Sequence, residues 1–586
     1  MNKNFQTDNP QVELRACKKA IASLALGRLV LFFSIGAVLI IGLSEVRLML
    51  LAFFPLAALF IYLIKLFNDQ KDRQNFLKAV LKMRSNQLLR KKRELSSFDK
   101  GEQFRDKNHA FCNDLDLFGE HSLFQLLNHT VADGGKTLLA KWLKAGVDPQ
   151  KAKKRFSAIK ELSGHQNFVR NFEAIGKAFV KEEKNKKPFY KWLKSPITWK
   201  SFYWLPLITG PLVGLMLLFG WLLMNWSPAY FSAWILIGLG FLAMIFRPLM
   251  EAYKIMPDEG DLKTLRAWSG ELEHLEFNDV YLKQLQAPVL DEKYRASEAL
   301  KSLEQQSFAV QNRTNLVYLI FNLFFWADFW VLWRLERWKK KYAGHMQEWE
   351  EVFEEWQVLV SLAAFTNEEN ISCEVEWTEK MEIGVKSLGH PLLPQDVCIS
   401  NDFEMQEQQK TVLLTGSNMS GKTTFMRTLG INMVLVNLGL SPFASYYFSG
   451  PFQLFTSMRN TDSLGESVSS FYAELARIKG LLEQAEEGKP VFFLLDEILK
   501  GTNTTDRVMG SEALIKQLMG SKSKGIISTH DIELSKLEES YESLVNYSFQ
   551  SDIKDNEILF DYKIKKGPCP SFNAHKLMEL MGIRFD

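Results

Sequence analysis

A glycine-rich segment of this sequence has the residue types and the spacing that bind nucleotide phosphates. Residues 416–423 fit the pattern G-x-x-x-x-G-K-[ST], in which backbone N–H groups and the start of a helix surround an anion. We expect Lys422 to reach the β- and γ-phosphates and Thr423 to hold Mg²⁺. The pattern therefore predicts that ATP and Mg²⁺ bind along this loop, at Gly416, Ser417, Asn418, Met419, Ser420, Gly421, Lys422, Thr423 and Thr424.

An acidic pair further along the chain has the chemistry that metal binding and hydrolysis require. Asp496 and Glu497 follow the apolar run 491–495, which is short and rich in strand-forming residues. At the end of a parallel strand, Asp496 would lie in the crevice where α/β sheets bind ligands and would complete the Mg²⁺ site. Glu497 would then polarise the attacking water as the catalytic base. In the alternative interpretation, the two carboxylates only cap the next helix.

The elements that must position these residues are strands followed by loops and helices. The run 411–414 is typical of a buried strand that leads into the glycine-rich loop, and residues 424–429 begin a helix. A third apolar run, 525–528, precedes His530. An α/β P-loop fold is therefore the predicted class for this part of the chain.

The composition fits a chain of two or three domains in a reducing compartment. Of the 586 residues, 47% are hydrophobic, which is ample for sizeable cores. The net charge of +3 indicates no global basic field directed at nucleic acid. The cysteines are far apart, odd in number and without a C-x-x-C pair, which argues against a zinc site and against a disulfide framework. They are Cys17, Cys112, Cys373, Cys398 and Cys569.

Two apolar blocks predict transmembrane hairpins. Residues 29–43 and 48–64 are uncharged, and so is the whole stretch 201–246. The turn at 225–228 divides the second block into two helices of about twenty residues, the length that a bilayer core requires. A cleaved signal peptide is a poor account of the first block, because a second apolar run follows at once. Buried helices of a soluble core are the remaining alternative for both blocks.

Flanking charges predict the orientation of the hairpins. Basic residues cluster between positions 65 and 93, whereas the turns inside the hairpins carry only Arg47. Both hairpins are therefore expected to enter the inner membrane from the cytoplasm and to return. Basic and aromatic residues at 186–200 favour contact with lipid headgroups, with nucleic acid as the alternative. The apolar stretch 316–333 is predicted to be an interfacial or buried helix, because a fifth crossing would place the phosphate loop outside the cell.

Four segments together form an extended signature. They are TGSNMSGKTT at 415–424, SSFYAE at 469–474, LDEILKGTNT at 495–504 and STHDIEL at 528–534. In type and order they resemble the MutS family of DNA mismatch repair ATPases, relatives of the ABC and SMC ATPases, with its T-G-P-N-M-x-G-K-S-T, S-T-F-x-x-E, L-D-E-I-G-R-G-T-S-T and T-H-x-x-E-L. Ser417, Ser470, Leu499 and Lys500 depart from these patterns without removing a phosphate or metal ligand. Weaker likenesses at 114–119 and 134–139 resemble the start of the family's helical lever domain.

The resemblance implies a homodimer that hydrolyses ATP in two composite sites. Ser469 would clamp the γ-phosphate presented by the second subunit, and His530 would contact the γ-phosphate from its own subunit. In the alternative interpretations, Ser469 is an ordinary helix cap and His530 a structural surface residue. DNA is the partner that the family implies, although no counterpart of the family's mismatch-reading N-terminal domain, which carries its F-x-E motif, is recognised in this sequence.

The expected molecule is a membrane-anchored MutS-like ATPase, with its ATPase domain in the cytoplasm and an all-α lever domain between membrane and motor. The alternative function is an ATP-driven membrane motor, transporter-like or remodelling, that does not use DNA. The predicted segments are a cytoplasmic tail (1–20), a first hairpin (21–67), a basic juxtamembrane helix (68–104), a first lever part (105–200), a second hairpin (201–248), a second lever part (249–367) and the ATPase domain (368–586).

Overall fold

The computed structural model describes residues 5, 7–44, 51–180, 185–417, 419–459, 470–554 and 557–570. The chain divides into two compact units. The helical unit comprises Met1–Asn86, Thr130–Gly135 and His165–Val358, and the sheet unit comprises Gln87–His129, Lys136–Gly164 and Leu359–Asp586.

Before the first strand, the regular elements of the described chain are helices. These helices are α1 (Pro10–Ser44), α2 (Phe53–Lys91), α3 (Leu123–Leu127), α4 (Asp133–Leu143), α5 (Pro149–Gly164), α6 (Gln166–Phe179), α7 (Lys187–Leu193), α8 (Trp204–Met224), α9 (Ala229–Ile255), α10 (Glu259–Leu272), α11 (Val280–Leu290), α12 (Ala296–Gln311), α13 (Leu316–Phe325), α14 (Ala327–Tyr342) and α15 (Met346–Glu369).

Four helices of the helical unit have the length and the apolar composition of a membrane span. Among the described residues these are α1, α2, α8 and α9. Their side chains are widely exposed: Leu212 on α8 is 63% exposed and Leu236 on α9 is 70% exposed. The break between α8 and α9 falls at 225–228 as the sequence predicts, with Asn225 in the left-handed conformation at φ 57°. The helices are present where hairpins are expected, and the crossing of a bilayer stays a prediction.

The third apolar stretch is not one helix. The helices α13 and α14 meet at Trp326 at an angle of 91°. Trp326 itself takes a left-handed backbone conformation, φ 54°, and is only 1% exposed. The outer face of α13 is exposed, with Val317 at 73% and Phe321 at 51%, so that α13 is not a buried helix.

The rest of the helical unit is a packed bundle. The helix α10 lies against α6 and α12. The Trp268 ring on α10 stacks on Phe172 of α6 with ring centroids 4.4 Å apart, and its indole N–H donates to the Phe172 carbonyl at 2.7 Å. Large aromatic rings bury much apolar area at low entropic cost, which explains how this aromatic-rich sequence forms a core without strands.

The sheet unit contains two sheets in its described part. The smaller has the order β1 (Val375–Trp377), β5 (Tyr446–Ser449), β2 (Ile383–Leu388), β3 (Asn401–Met405). The larger has the order β10 (Glu557–Lys566), β9 (Leu544–Lys554), β4 (Thr411–Thr415), β8 (Lys524–Thr529), β7 (Val491–Asp496), β6 (Gln453–Ser457). Its β10–β9 pair is antiparallel, and its other pairs are parallel. The helices of this half are α16 (Lys422–Leu438), α17 (Ser470–Glu486), α18 (Thr504–Met519) and α19 (Ile532–Ser535).

The centre of the larger sheet is apolar and parallel, and this aligns the strand ends. Strands β4 and β8 are buried along their whole length, and β7 is buried up to its last residue, as expected for strands covered on both faces. In register, Thr415 pairs with Thr529 and Asp496 pairs with Ser528. The carboxyl ends of β4, β8 and β7 therefore lie side by side at one edge, which is where the predicted site residues follow.

Candidate functional site

The loop between β4 and α16 is held in a conformation that requires glycine. Gly416 and Gly421 have φ angles of 149° and 108°. A Cβ atom on Gly416 would lie 2.7 Å from the Phe549 carbonyl oxygen, so that any side chain there would displace β9. Met419 also has a positive φ, 66°, and is 86% exposed. Asn418 lies outside the described residues.

Lys422 begins α16 and points back over this loop. Its side chain is buried, and its Nζ donates to the carbonyl oxygens of Gly416 at 2.8 Å and Ser417 at 3.0 Å. Burial lowers the pKa of the ammonium from its usual value. The Ser420 hydroxyl also donates to the Ser417 carbonyl at 2.8 Å. The loop therefore encloses one buried cation next to the amino end of a 17-residue helix, an arrangement that favours an anion.

Thr423, in the first turn of α16, meets Asp496 at the end of β7, although β8 lies between β7 and the strand β4 that leads into α16. The Thr423 hydroxyl donates to Asp496 Oδ2 at 2.6 Å, and the Ser528 hydroxyl bonds the other carboxylate oxygen. Hydroxyl and carboxylate oxygens are the ligands that Mg²⁺ prefers. This donor set fits the metal that the sequence predicts for Thr423 and Asp496.

Glu497 and His530 form a second close pair at the same edge. His530 Nε2 lies 2.6 Å from Glu497 Oε1, and Lys500 Nζ lies 2.5 Å from Oε2. The hydrogen bond from His530, supported by Lys500, holds the pKa of the Glu497 carboxyl at about 2, against a raising effect of partial burial. The carboxylate is thus ionised at neutral pH. It is also placed by strain, because Glu497 has a φ of 48°.

The turn after Glu497 is tied to α17. Glu474 Oε1 accepts a hydrogen bond from the Leu499 backbone N–H at 2.5 Å. A Cβ atom on Gly501 would lie 2.6 Å from Phe471 Cβ. The first helical turn of α17 therefore packs directly against the loop that follows Glu497. Ser469, the residue before α17, lies outside the described residues. The described part of its motif therefore contacts the loop that carries the predicted base.

A buried aspartate outside the predicted site binds the end of the neighbouring strand β6. Asp114 is 3% exposed. Its carboxylate accepts hydrogen bonds from the Thr456 hydroxyl at 2.6 Å, the Met458 N–H at 3.2 Å and the Arg459 N–H at 3.1 Å, and it faces Arg477 of α17 at 3.4 Å. Asp114 thus joins the end of β6 to α17.

Asp116 extends this cluster to α16. Its carboxylate pairs with Arg459 at 2.7 Å and with Arg427 of α16 at 3.4 Å. Between the two aspartates, Leu115 packs on Gly430 of α16, where an added Cβ would approach to 2.8 Å. The sequence signal for this cluster is the D-L-D triplet at 114–116, within the weaker likeness at 114–119.

A cavity of about 290 Å³ opens beside the loop, on the side of Gly421 and Thr424. His390, Phe425 and Tyr562 contribute rings to its lining. Burial and the nearby Arg427 hold the pKa of His390 at about 4, so that its ring is neutral at neutral pH. The cavity therefore presents flat, uncharged surfaces next to the predicted phosphate site. The remaining lining residues are Leu388, Leu393, Val397, Cys398, Ile399, Asn401, Thr428 and Phe549.

The C-terminal part of the chain is similar to known proteins. Residues 412–583 match the family description MutS domain V. The DNA mismatch repair protein MutS of Bacillus cytotoxicus is 32% identical over 245 residues, which are 40% of this chain and 27% of that protein. The MutS protein of Lactobacillus delbrueckii subsp. bulgaricus is 31% identical over 250 residues, 41% of this chain and 29% of that protein. The chain spans little more than a quarter of the length of these relatives. The C-terminal part of the chain is thus similar to MutS domain V and to the corresponding part of these MutS proteins.

Proposed function

We propose that this chain is a membrane-anchored ATPase that hydrolyses ATP in composite sites of a homodimer. One observation carries the proposal: Thr423 and Asp496 approach to 2.6 Å across an intervening strand, with the ionised Glu497 next in sequence. The relatives are named for DNA mismatch repair, and an ATPase of that family is the activity that this arrangement fits.

In this proposal each side chain at the strand ends has a separate task. The loop amides and Lys422 bind the phosphates, with Ser420 and Thr424 holding the loop and the start of α16. Thr423 and Asp496 would hold Mg²⁺, which would neutralise phosphate charge. Glu497 orients and polarises the attacking water, because an ionised carboxylate accepts a hydrogen bond from it. His530 orients Glu497 through the 2.6 Å hydrogen bond.

The neutral cavity beside the loop would hold the nucleobase. It is next to Gly421 and Thr424 and is lined by four rings, those of His390, Phe425, Phe549 and Tyr562. Stacking on flat uncharged surfaces suits an adenine ring.

Dimerisation is proposed from the resemblance and from the contacts of α17. Ser469 would act on the γ-phosphate of the partner subunit, and Glu474 of the same motif bonds the Leu499 amide in its own subunit. A nucleotide bound by the partner would therefore act, through α17, on the backbone of Leu499, two residues after Glu497. This gives composite sites a physical route for coordinating hydrolysis.

Membrane anchoring is proposed from the four apolar helices. Their outward side chains are apolar, and the basic residues that follow the first hairpin favour the cytoplasmic side for the ATPase. The partners are then the lipid of the inner membrane and, through the family, DNA. An ATP-driven membrane motor that does not use DNA is the second candidate, favoured by the net charge of only +3.

The test is ATP turnover by the full-length protein in nanodiscs, with duplex, mismatched or branched DNA or without DNA, over a salt series. Lys422→Ala is the blank. Turnover above this blank is expected, and a DNA-dependent rate that declines with salt supports DNA handling. Turnover that no DNA changes at any salt concentration favours the membrane motor. A rate equal to the Lys422→Ala blank refutes the ATPase proposal.

A further inference from the structure

The elbow between α13 and α14 is built around a buried tryptophan. The Trp326 ring stacks on Trp234 of α9 with ring centroids 4.1 Å apart and an interplanar angle of 14°. An added Cβ on Gly238 would lie 2.2 Å from Trp326 Nε1, and one on Gly210 would lie 2.8 Å from the Phe325 carbonyl oxygen. The bend is therefore fixed by close contact with α8 and α9, two of the four helices proposed to cross the membrane.

The chain break at this elbow finds hydrogen-bond partners within the protein. A broken helix leaves carbonyl and N–H groups without intrahelical partners. Here the Phe324 carbonyl accepts the Trp234 indole N–H at 2.9 Å, and the Asp328 N–H donates to the Asn322 side-chain oxygen at 2.8 Å. Non-helical backbone is tolerated at membrane depth only where protein groups satisfy it, and these groups do so.

A buried ion pair ties the two arms of the elbow together. Arg313, just before α13, bonds both carboxylate oxygens of Asp328, just after the bend, at 2.8 and 2.5 Å. The Tyr318 hydroxyl donates to the same carboxylate at 2.7 Å. The Asp328 side chain is 4% exposed and that of Arg313 is 11% exposed. A charge in an apolar layer is stable only when it is paired in this way.

The outer surface of α13 is apolar and merges with that of the neighbouring helices. The side chains of Val317, Ile320 and Phe321 are each at least half exposed. They line an apolar groove of about 810 Å³ together with α8 residues such as Pro211 and Leu215. Among the residues that the structure describes, none of those lining the groove is charged, so a lipid acyl chain is the occupant that its chemistry fits. The other lining residues are Leu39, Phe53, Phe54, Leu218, Trp221, Leu222, Phe324, Phe325, Ala327 and Trp330.

We propose that α13 and its elbow form a re-entrant element that inserts into the acyl layer of a single leaflet and returns to the side from which it came. A helix of 10 residues is about 15 Å long, half of the roughly 30 Å of a hydrocarbon core. The exposed basic residues of α14, Arg334, Arg337, Lys340 and Lys341, would lie among the headgroups of that leaflet. This inference rests on the proposed membrane anchoring and adds that α13 contacts one leaflet only.

Cysteine labelling in sealed vesicles tests this topology. In a cysteine-free chain that retains ATP turnover, single variants Lys301→Cys, Phe321→Cys, Lys340→Cys and Ser227→Cys are treated with a charged, membrane-impermeant maleimide. We expect Lys301→Cys and Lys340→Cys to be labelled from the same side and Ser227→Cys only from the other. Labelling of Phe321→Cys is expected to be at least tenfold slower than that of Lys340→Cys until detergent is added.

A second measurement uses the unaltered chain. Vesicles of phosphatidylethanolamine and phosphatidylglycerol carrying a diazirine within the acyl chain are irradiated, and adducts are expected in residues 316–325. Labelling of Lys301→Cys and Lys340→Cys from opposite sides, equal rates at Phe321→Cys and Lys340→Cys, or no adducts in 316–325 overturns the proposal. If Ser227→Cys is labelled from the same side as Lys301→Cys, the anchoring by α8 and α9 is itself refuted, and the re-entrant element is refuted with it.

Discussion

Replacing Asp114 by asparagine tests whether the cluster between β6 and α17 holds the sheet unit together. The carboxylate receives hydrogen bonds from one hydroxyl and two backbone N–H groups and faces the Arg477 guanidinium. An amide offers one acceptor oxygen in place of two and turns an NH₂ group towards donors. Oδ2 accepts from Thr456, Met458 and Arg477, and Oδ1 accepts from the Arg459 N–H. With the amide oxygen in the place of Oδ2, the Arg459 N–H therefore loses its acceptor, and the Arg477 guanidinium loses the charge that faces it.

The expected cost follows from that count. A buried donor left without a partner costs about 1–3 kcal/mol, and more when the partner is charged. One such loss at the Arg459 N–H, together with the weaker interaction at Arg477, amounts to about 3 kcal/mol. For a unit as large as the sheet unit, 1 kcal/mol corresponds to about 2 °C in Tm, so Asp114→Asn is expected to lower Tm by about 6 °C.

The assay is thermal unfolding of the full-length protein in detergent, following the transition that ATP shifts upwards and that therefore reports the nucleotide-binding unit. Asp106→Asn is the matched control, because Asp106 is exposed and its carboxylate accepts the Asn108 N–H within its own turn. We expect less than about 2 °C of change for this control. A shift of less than 2 °C for Asp114→Asn would refute the role assigned to the cluster.

Three further outcomes are expected. Glu497→Gln removes the proposed base while keeping an oxygen for His530, so that ATP binding measured by fluorescent-nucleotide titration persists and turnover falls about 10²–10⁴-fold; normal turnover would show that another group activates water. Thr423→Val keeps the shape of the side chain but removes the hydroxyl that bonds Asp496. A hydrogen bond to a charged group contributes about 1.5–3 kcal/mol, so we expect the Mg²⁺ concentration required for turnover to rise ten- to hundredfold. An unchanged requirement would show that Thr423 is not part of the metal site. The pKa of His390 is about 4 in the folded chain, against the ordinary histidine value of 6.5, so below pH 6.5 the unfolded chain takes up a proton that the folded chain does not, and stability falls as pH falls. The loss between pH 7.5 and pH 5 is about 2 kcal/mol, and His390→Asn should flatten this part of the Tm profile; an identical slope in the variant would contradict the assignment.

The strand ends that carry the candidate site follow closely from the sequence. Short apolar runs before 416, 496 and 530 behave as parallel strands, and such strands end at one edge of a sheet. For this reason the sequence alone predicts that Thr423 lies near Asp496 and that His530 lies near Glu497. The α8–α9 break is equally local, because Asn225 and Pro228 both disfavour a continuous helix.

The features that sequence patterns did not predict depend on distant partners. The bonds from Thr456 and Arg459 to Asp114 span 342 and 345 positions in the chain, and a single sequence carries no signal for such a pair. The bend at Trp326 lacks glycine and proline in its immediate neighbourhood. It arises from tertiary packing of the tryptophan against Trp234 and Gly238, which overrides the helical propensity of the stretch 316–333.

Leu499 has a consequence for how freely the loop after Glu497 rearranges. Its φ of 59° is a conformation that costs a non-glycine residue about 1–2 kcal/mol, and the resembled pattern has glycine at this position. The leucine side chain, 7% exposed, is packed in the hydrophobic cluster under the sheet, and burial of a leucine contributes about 1.5–3 kcal/mol. The burial offsets the strain, and the unfolded chain also has less backbone entropy to lose than with glycine. The turn beside the proposed base is therefore rigid. A Leu499→Gly substitution would make the backbone at this position more mobile.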